Sequence, residues 1–257
     1  MSSTTFIETS VSEHILSIRF NRPERKNAIN FEMYTALADA FAEADSNPDI
    51  RVVFISGDED CFCAGNDLAD FNTGGPAKGE KSPGARFLNQ LRECTKPIVA
   101  AVAGPAIGVG TTMLLHCDLV YAAPSANFKM PFTQLGLCPE ASSSYLIPAL
   151  VGQRRASELL LLGRPFSPSQ AIEYGIINDM FNTELITRTY DIALELAALP
   201  PGSVQLSKKL MKEPVLAAAR EADKNELLGF AERLRSEELK EAMKAFFEKR
   251  PADFSRF

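Results

Sequence analysis

Glu140 is the only charged side chain between Lys129 and Arg154, and it stands directly after Pro139 in "QLGLCPEASSSYLIPALVGQ". Two readings of this lone carboxylate stay open. It can sit in the first turn of a helix opened by the proline, where negative charge favours the helix dipole. It can equally be a proton carrier in a water-poor pocket. Two glycine-bearing segments, "CAGNDL" (63–68) and "GPAIGVG" (104–110), each follow a strand pattern and open a helix. Glycine permits the sharp turn and a helix start exposes unpaired N–H groups, so two such starts facing each other would make a donor pair for an oxyanion. Each taken alone also reads as an ordinary tight turn. "GVGTTM" is no dinucleotide fingerprint, because the third glycine is missing and Asp118 comes too early; no Walker lysine follows either loop. Cys61 and Cys63 form Cys-x-Cys, but the chain has only His14 and His116 to complete a ligand set, so no metal site is expected.

The elements that would position these residues alternate in type. Leu16, Ile18 and Phe20 alternate with polar neighbours and read as a strand paired in a hairpin with "FIET". Asn30 caps a helix with Met33, Leu37, Phe41 and Ala44 at helical spacing, and Asn47-Pro48 stops it. "RVVFIS" and "PIVAAVAG" read as strands buried on both faces. Helices follow around Phe87–Leu91 and at "TTMLLHC", then a strand at "DLVYAA". "ASELLLLG" and "PSQAIEYG" are short helices ended by Gly163 and Gly175. This alternation predicts an α/β core with crossover connections. Beyond Thr183 the chain reads as helical, with Leu227, Leu228, Phe230, Leu234, Leu239, Met243 and Phe246 as a stripe for the parent domain or another subunit, not for a cofactor. "NTGGPAKGEKSPGA" (72–85) reads as a mobile surface loop beside the site.

At 257 residues, one large domain with an appended segment is expected, and 46% apolar with 23% charged residues is an ordinary globular composition. The net charge of −6 argues against a nucleic-acid partner, leaving Arg22, Arg25 and Lys26 as a local basic group for an anionic ligand. An odd five cysteines, mostly in apolar sequence, point to a reducing, cytoplasmic compartment. "MSSTTFIETS" has neither the basic start nor the apolar run of a secretory signal, and "SRF" departs from the peroxisomal pattern. Pro97–Leu115 is free of charge, but Gly104-Pro105 cuts it, so no membrane span is expected there.

Together "NRPERKNAIN", "FCAGNDLADF", "KPIVAAVAGPAIGVGTTMLLHCDLVYA" and "ANFKMPFTQLGLCPEASSSYLIPALVG" resemble the enoyl-CoA hydratase/isomerase (crotonase) superfamily, in family order from about Phe6 to Phe254. The resemblance implies an α/β, crotonase-like spiral of ββα units over 1–200 and a helical trimerisation region over 201–257, assembled as a homotrimer or hexamer. It implies that the backbone N–H groups of Asn66 and Val109 hold the thioester oxygen of an acyl-CoA. Lys26, Ala28, Ala64, Asp67 and Leu68 would line the coenzyme A site, joined by Phe246 and Lys249 of "AFFEKR". No cofactor is implied beyond the coenzyme A of the substrate, and neither a nucleic acid nor a membrane is a partner. Where hydratases of the family carry two glutamates, this chain has Thr112 and Phe132, whereas Glu140 matches the single acid of peroxisomal-type Δ3,Δ2-enoyl-CoA isomerases. The resemblance therefore favours a proton shuttle at Glu140, with Phe132, Leu135, Leu137 and Leu146 expected around it. A hydratase using Glu140 alone and a non-catalytic acyl-CoA binder are the alternatives.

Overall fold

The computed structural model describes residues 6–71 and 82–257. Most of the expected surface loop, residues 72–81, lies outside the described residues, and its last part is already helical. Strands β1 (Ile7–Ser12) and β2 (Ile15–Phe20) form the expected antiparallel hairpin. Its two-residue turn places Glu13 and His14 at φ 51° and 65°, the positive values that a hairpin turn matching strand twist demands. From β2 the sheet continues in parallel through β3 (Val52–Ser56), β4 (Ile98–Val102), β6 (Leu119–Ala122) and β8 (Asp179–Met180). Strands β5 (Pro105–Ile107) and β7 (Asn127–Lys129) make a second, two-stranded parallel sheet.

Every residue of β3 and β4 is buried, because both faces of the sheet are covered. Val53 and Ile55 join the main core, beside helix α1 (Phe31–Ser46). Val52 and Phe54 point the other way, into a second cluster closed by helix α8 (Leu185–Ala198). The Asn30 side chain accepts the Met33 N–H at 2.9 Å, giving α1 the cap expected of it. Against α1 packs α3 (Pro83–Glu93). The short helices α2 (Leu68–Phe71) and α4 (Val109–Thr112) each begin at the end of one glycine segment. The helix expected over "TTMLLHC" divides: α4 ends at Thr112 and a three-ten turn runs Met113–His116.

Helices α5 (Ser143–Val151), α6 (Gln153–Leu160) and α7 (Pro168–Glu173) complete the core, with a full capping box between Ser167 and Gln170 at the start of α7. Two helices finish the chain. α9 (Pro201–Arg233) lies across α5, and α10 (Glu237–Phe247) packs on the three-ten turn Thr133–Leu135. Among the described residues no helix is long and apolar enough to cross a membrane.

Candidate active site

Glu140 is not in a helix. α5 begins three residues later, so Pro139 opens nothing, and the dipole reading of this carboxylate is overturned. Instead the residue ends an irregular segment and is 9% exposed. It lines a cavity of about 340 Å³ that it shares with Tyr34, Asn66, Asp223 and Glu226. Its Oε1 is buried without a hydrogen-bond partner. Burial first, and then the like charges of Glu226 and Asp223, push the Glu140 carboxyl up to about 8, against a hydrogen bond from the Asn66 side chain that favours the ionised form. A carboxyl poised there both accepts and returns a proton near neutral pH.

The carboxylate is reached through a short polar chain. Tyr34 Oη donates to Asn66 Oδ1, which leaves the Asn66 amide nitrogen as the group that favours the ionised form of Glu140. The resemblance points to the Asn66 backbone alone, whereas its side chain also acts on the Glu140 carboxyl.

The two glycine segments do lie against each other. A parallel bridge joins Cys63 to Ala106, with Cys63 N–H donating to Pro105 at 3.0 Å and Ile107 N–H to Cys63 at 2.9 Å. Two glycines allow this approach: a Cβ on Gly65, which has φ +95°, would lie 2.8 Å from the Ile107 oxygen, and one on Gly110 would lie 2.5 Å from the Cys63 oxygen. On the other edge, Ile29 N–H donates to Gly65 and Asp67 N–H to Ile29, so the Asn66 N–H between them points out of the bridge. Val109 is the first residue of α4, whose preceding carbonyl at Gly108 accepts from Thr111 and Thr112, so the Val109 N–H has no partner within the helix. Val109 does not itself line the cavity; it is tied to it through the bridged 63–66 segment.

The other expected residues divide into two places. Lys26, Ala28, Ala64 and Asp67 cluster, because the Lys26 carbonyl accepts the Ala64 N–H at 3.0 Å and Arg22 bonds both the Ala28 carbonyl and the Asp67 carboxylate. Leu68 follows directly, as the first residue of α2. The pairing of Arg22 with Asp67 at 2.7 Å neutralises one member of the expected basic group and leaves Arg25 and Lys26 exposed. Phe246 and Lys249 lie on α10 and just after it and do not line the cavity, and Phe246 is exposed. Thr112 and Phe132 are buried, and neither lines the cavity.

The apolar wall is also different from the one expected. Phe132, Leu135, Leu137 and Leu146 do not line the cavity, whose apolar surface comes from Phe31 of α1, Leu88 of α3, and Leu227, Phe230 and Leu234 on and after α9. The reason is the path of α9, which packs against α5 and brings part of the C-terminal stripe, Leu227, Phe230 and Leu234, onto the cavity wall. Sequence reasoning missed Tyr34, Asp223 and Glu226. The signal was available for the last two: with Ala219 and Phe230 they recur at helical spacing on one face, where acids would otherwise be costly.

Comparison with known proteins places the whole arrangement. The rat protein "Enoyl-CoA delta isomerase 2" is 35% identical over 92% of this chain, which spans 62% of that protein's length. The Escherichia coli "1,2-epoxyphenylacetyl-CoA isomerase" is 34% identical over 97% of this chain and 98% of its own. A solved enoyl-CoA hydratase/isomerase from Pseudoalteromonas atlantica superposes with a TM-score of 0.91 at 44% identity, over 97% of this chain and 99% of that one. Residues 10–256 match the model of enoyl-CoA hydratase/isomerase, so this chain, with the crotonase fold, belongs to that family.

Proposed function

We propose that the chain is an acyl-CoA isomerase that moves the double bond of a 3-enoyl-CoA to the 2-position. Glu140 takes a proton from C2, the electron pair delocalises over the thioester as a dienolate, and the same carboxyl returns a proton at C4. The N–H groups of Asn66 and Val109 are the donors for the enolate oxygen, and preorganised donors of this kind supply a large share of such a rate. The coenzyme A moiety is assigned to the cluster of Lys26, Ala28, Ala64, Asp67 and Leu68, with Phe246 and Lys249 as its C-terminal contribution. Residues 1–200 form the catalytic core in this reading and 201–257 the oligomerisation region.

The observation that carries the reading is one buried carboxyl with an unpartnered oxygen and a proton affinity near working pH. Relatives named as enoyl-CoA delta isomerases support it. A second reading, hydration of a 2-enoyl-CoA, is favoured by Asp223, whose Oδ1 is also buried without a partner beside the same cavity. Purified protein offered 3-hexenoyl-CoA and 2-hexenoyl-CoA in separate assays decides between them. An isomerase converts the first to the 2-enoyl product and leaves the second unhydrated. Hydration of the second at a comparable rate replaces the isomerase by a hydratase, and no change in either leaves an acyl-CoA binder. Glu140→Gln is expected to lower isomerase turnover at least about a hundredfold while acyl-CoA binding survives.

A further inference from the structure

The backbone that carries Glu140 is held in an improbable shape from outside. Ala141 and Ser142 have φ 58° and 60°, two successive non-glycine residues in the left-handed region, each of which costs on the order of 1 kcal/mol. The segment therefore persists because its surroundings impose it. Glu226, on α9, supplies two of the restraints: its Oε2 accepts the Ser142 N–H at 2.6 Å and its Oε1 accepts the Ser144 N–H at 2.7 Å. Those N–H groups belong to the start of α5, whose N-cap residue Ser142 has turned its own hydroxyl to the Ala219 carbonyl at 2.8 Å. Glu226 thus caps α5 from another helix, with a charge that suits the helix N-terminus. His116, whose Nε2 lies 2.8 Å from the Ala141 carbonyl, fixes the same segment from the opposite side.

We propose that Glu226 is the positioning residue of Glu140: from α9 it fixes the backbone that bears the reacting carboxyl, and by its charge it sets how readily that carboxyl releases a proton. This inference rests on the reading of Glu140 as the proton carrier. Burial, the largest influence, and the charge of Asp223 raise the proton affinity of Glu226, but the Ser142 and Ser144 N–H groups it accepts from favour its ionised form, and at 7% exposure its field on Glu140 is weakly screened. Other groups facing Glu140 do not cancel it. From α9, Asp223 also repels, with one oxygen held by Arg92 of α3 at 2.7 Å. From α1 and the 61–70 segment come Tyr34, Cys63 and Asn66; burial raises the hydroxyl and thiol well above neutrality, leaving both uncharged. Asp70 and the exposed Arg235 stand elsewhere on the cavity wall. Cys138, two residues before Glu140, is held above its ordinary range by burial, and His116 is held neutral by burial, with a value of about 4.

The test is a carbon-13 carboxyl titration followed by NMR, with the Glu140 resonance identified by its loss in Glu140→Gln. In Glu226→Gln, Glu140 is expected to titrate about one pH unit or more below its wild-type midpoint, and the acid limb of kcat/KM for 3-hexenoyl-CoA moves down with it. An unchanged midpoint in the folded variant overturns the inference. If Glu226→Gln does not fold, Glu226→Asp takes its place. Its shorter carboxylate keeps the charge, so Glu140 must keep its high midpoint while the Ser142 and Ser144 amide protons exchange faster. Unchanged exchange there, or titration of Glu140 in the ordinary range, is equally fatal. The NMR readout needs no turnover. A wild type that ignores 3-hexenoyl-CoA but shows the Glu226-dependent midpoint defeats the isomerase reading alone.

Discussion

At the scale of single residues, the carboxyl of Glu140 links stability to chemistry. Its folded value of about 8 lies above the ordinary glutamate value, so between those two pH values the folded chain holds a proton that the unfolded chain has released. Stability is therefore full at the acid end of that window and is lost as pH rises through it. Glu140→Gln removes a group whose ionisation opposes folding, and is expected to be more stable than wild type at pH 7 by on the order of 1–3 kcal/mol. The difference should vanish near pH 4, and chemical denaturation at the two pH values measures it; a variant no more stable at pH 7 contradicts the burial on which the proposed proton shuttle depends. The same titration predicts that kcat/KM for the 3-enoyl substrate climbs as pH rises toward 8, because only the carboxylate abstracts a proton. Glu140 was conspicuous in the sequence because it was alone among neutral neighbours. Its controllers were not, because Asp223 and Glu226 sit in a charge-dense helix where one acid looks like another until folding turns a single face inward.

At the scale of elements, the proposed donor pair requires two loops to touch. Their contact is the bridge from Cys63 to Ala106, and its closeness is set by glycines whose missing side chains leave room for carbonyl oxygens. Gly65→Ala must place a methyl 2.8 Å from the Ile107 oxygen at a φ of +95°, and both demands push the 63–66 segment away from β5. The expected cost is about 1–3 kcal/mol of stability, with a fall in kcat of tenfold or more from the displaced Asn66 N–H. A thermal melt and steady-state kinetics on the same sample check both; unaltered kcat would detach the Asn66 amide from the reaction. Both glycine segments were legible in the sequence, as were the hairpin, the Asn30 cap and the fully buried β3 and β4, since each follows from local pattern or turn chemistry. Which side chains walled the cavity was not. Phe132, Leu137 and Leu146 are near Glu140 along the chain, whereas Leu227, Phe230 and Leu234 reach it only because a distant helix folds back.

At the scale of the whole molecule, α9 works with two faces. Ala219, Asp223 and Glu226 are buried and look into the core, whereas Leu206, Leu210 and Leu228 fall on the opposite side and are 56%, 61% and 66% exposed. With Met211, Phe246 and Phe247, they belong to a C-terminal region holding most of the large apolar side chains left exposed among the described residues. A concentration of exposed apolar side chains there suits an interface, and the resemblance to the family makes a trimer or a pair of trimers the assembly to test for in solution. Light scattering should give three or six chain masses, and the double variant Leu210→Glu, Met211→Glu should shift the population towards single chains. Because the inner face of the same helix caps α5 through Glu226, loss of partners should loosen the Glu140 segment as well. The dissociated variant is therefore expected to lose turnover by more than its change in melting temperature would suggest. A wild-type protein that runs as a monomer at every concentration, with full activity, would leave the outer face of α9 without a purpose and the inner one unsupported.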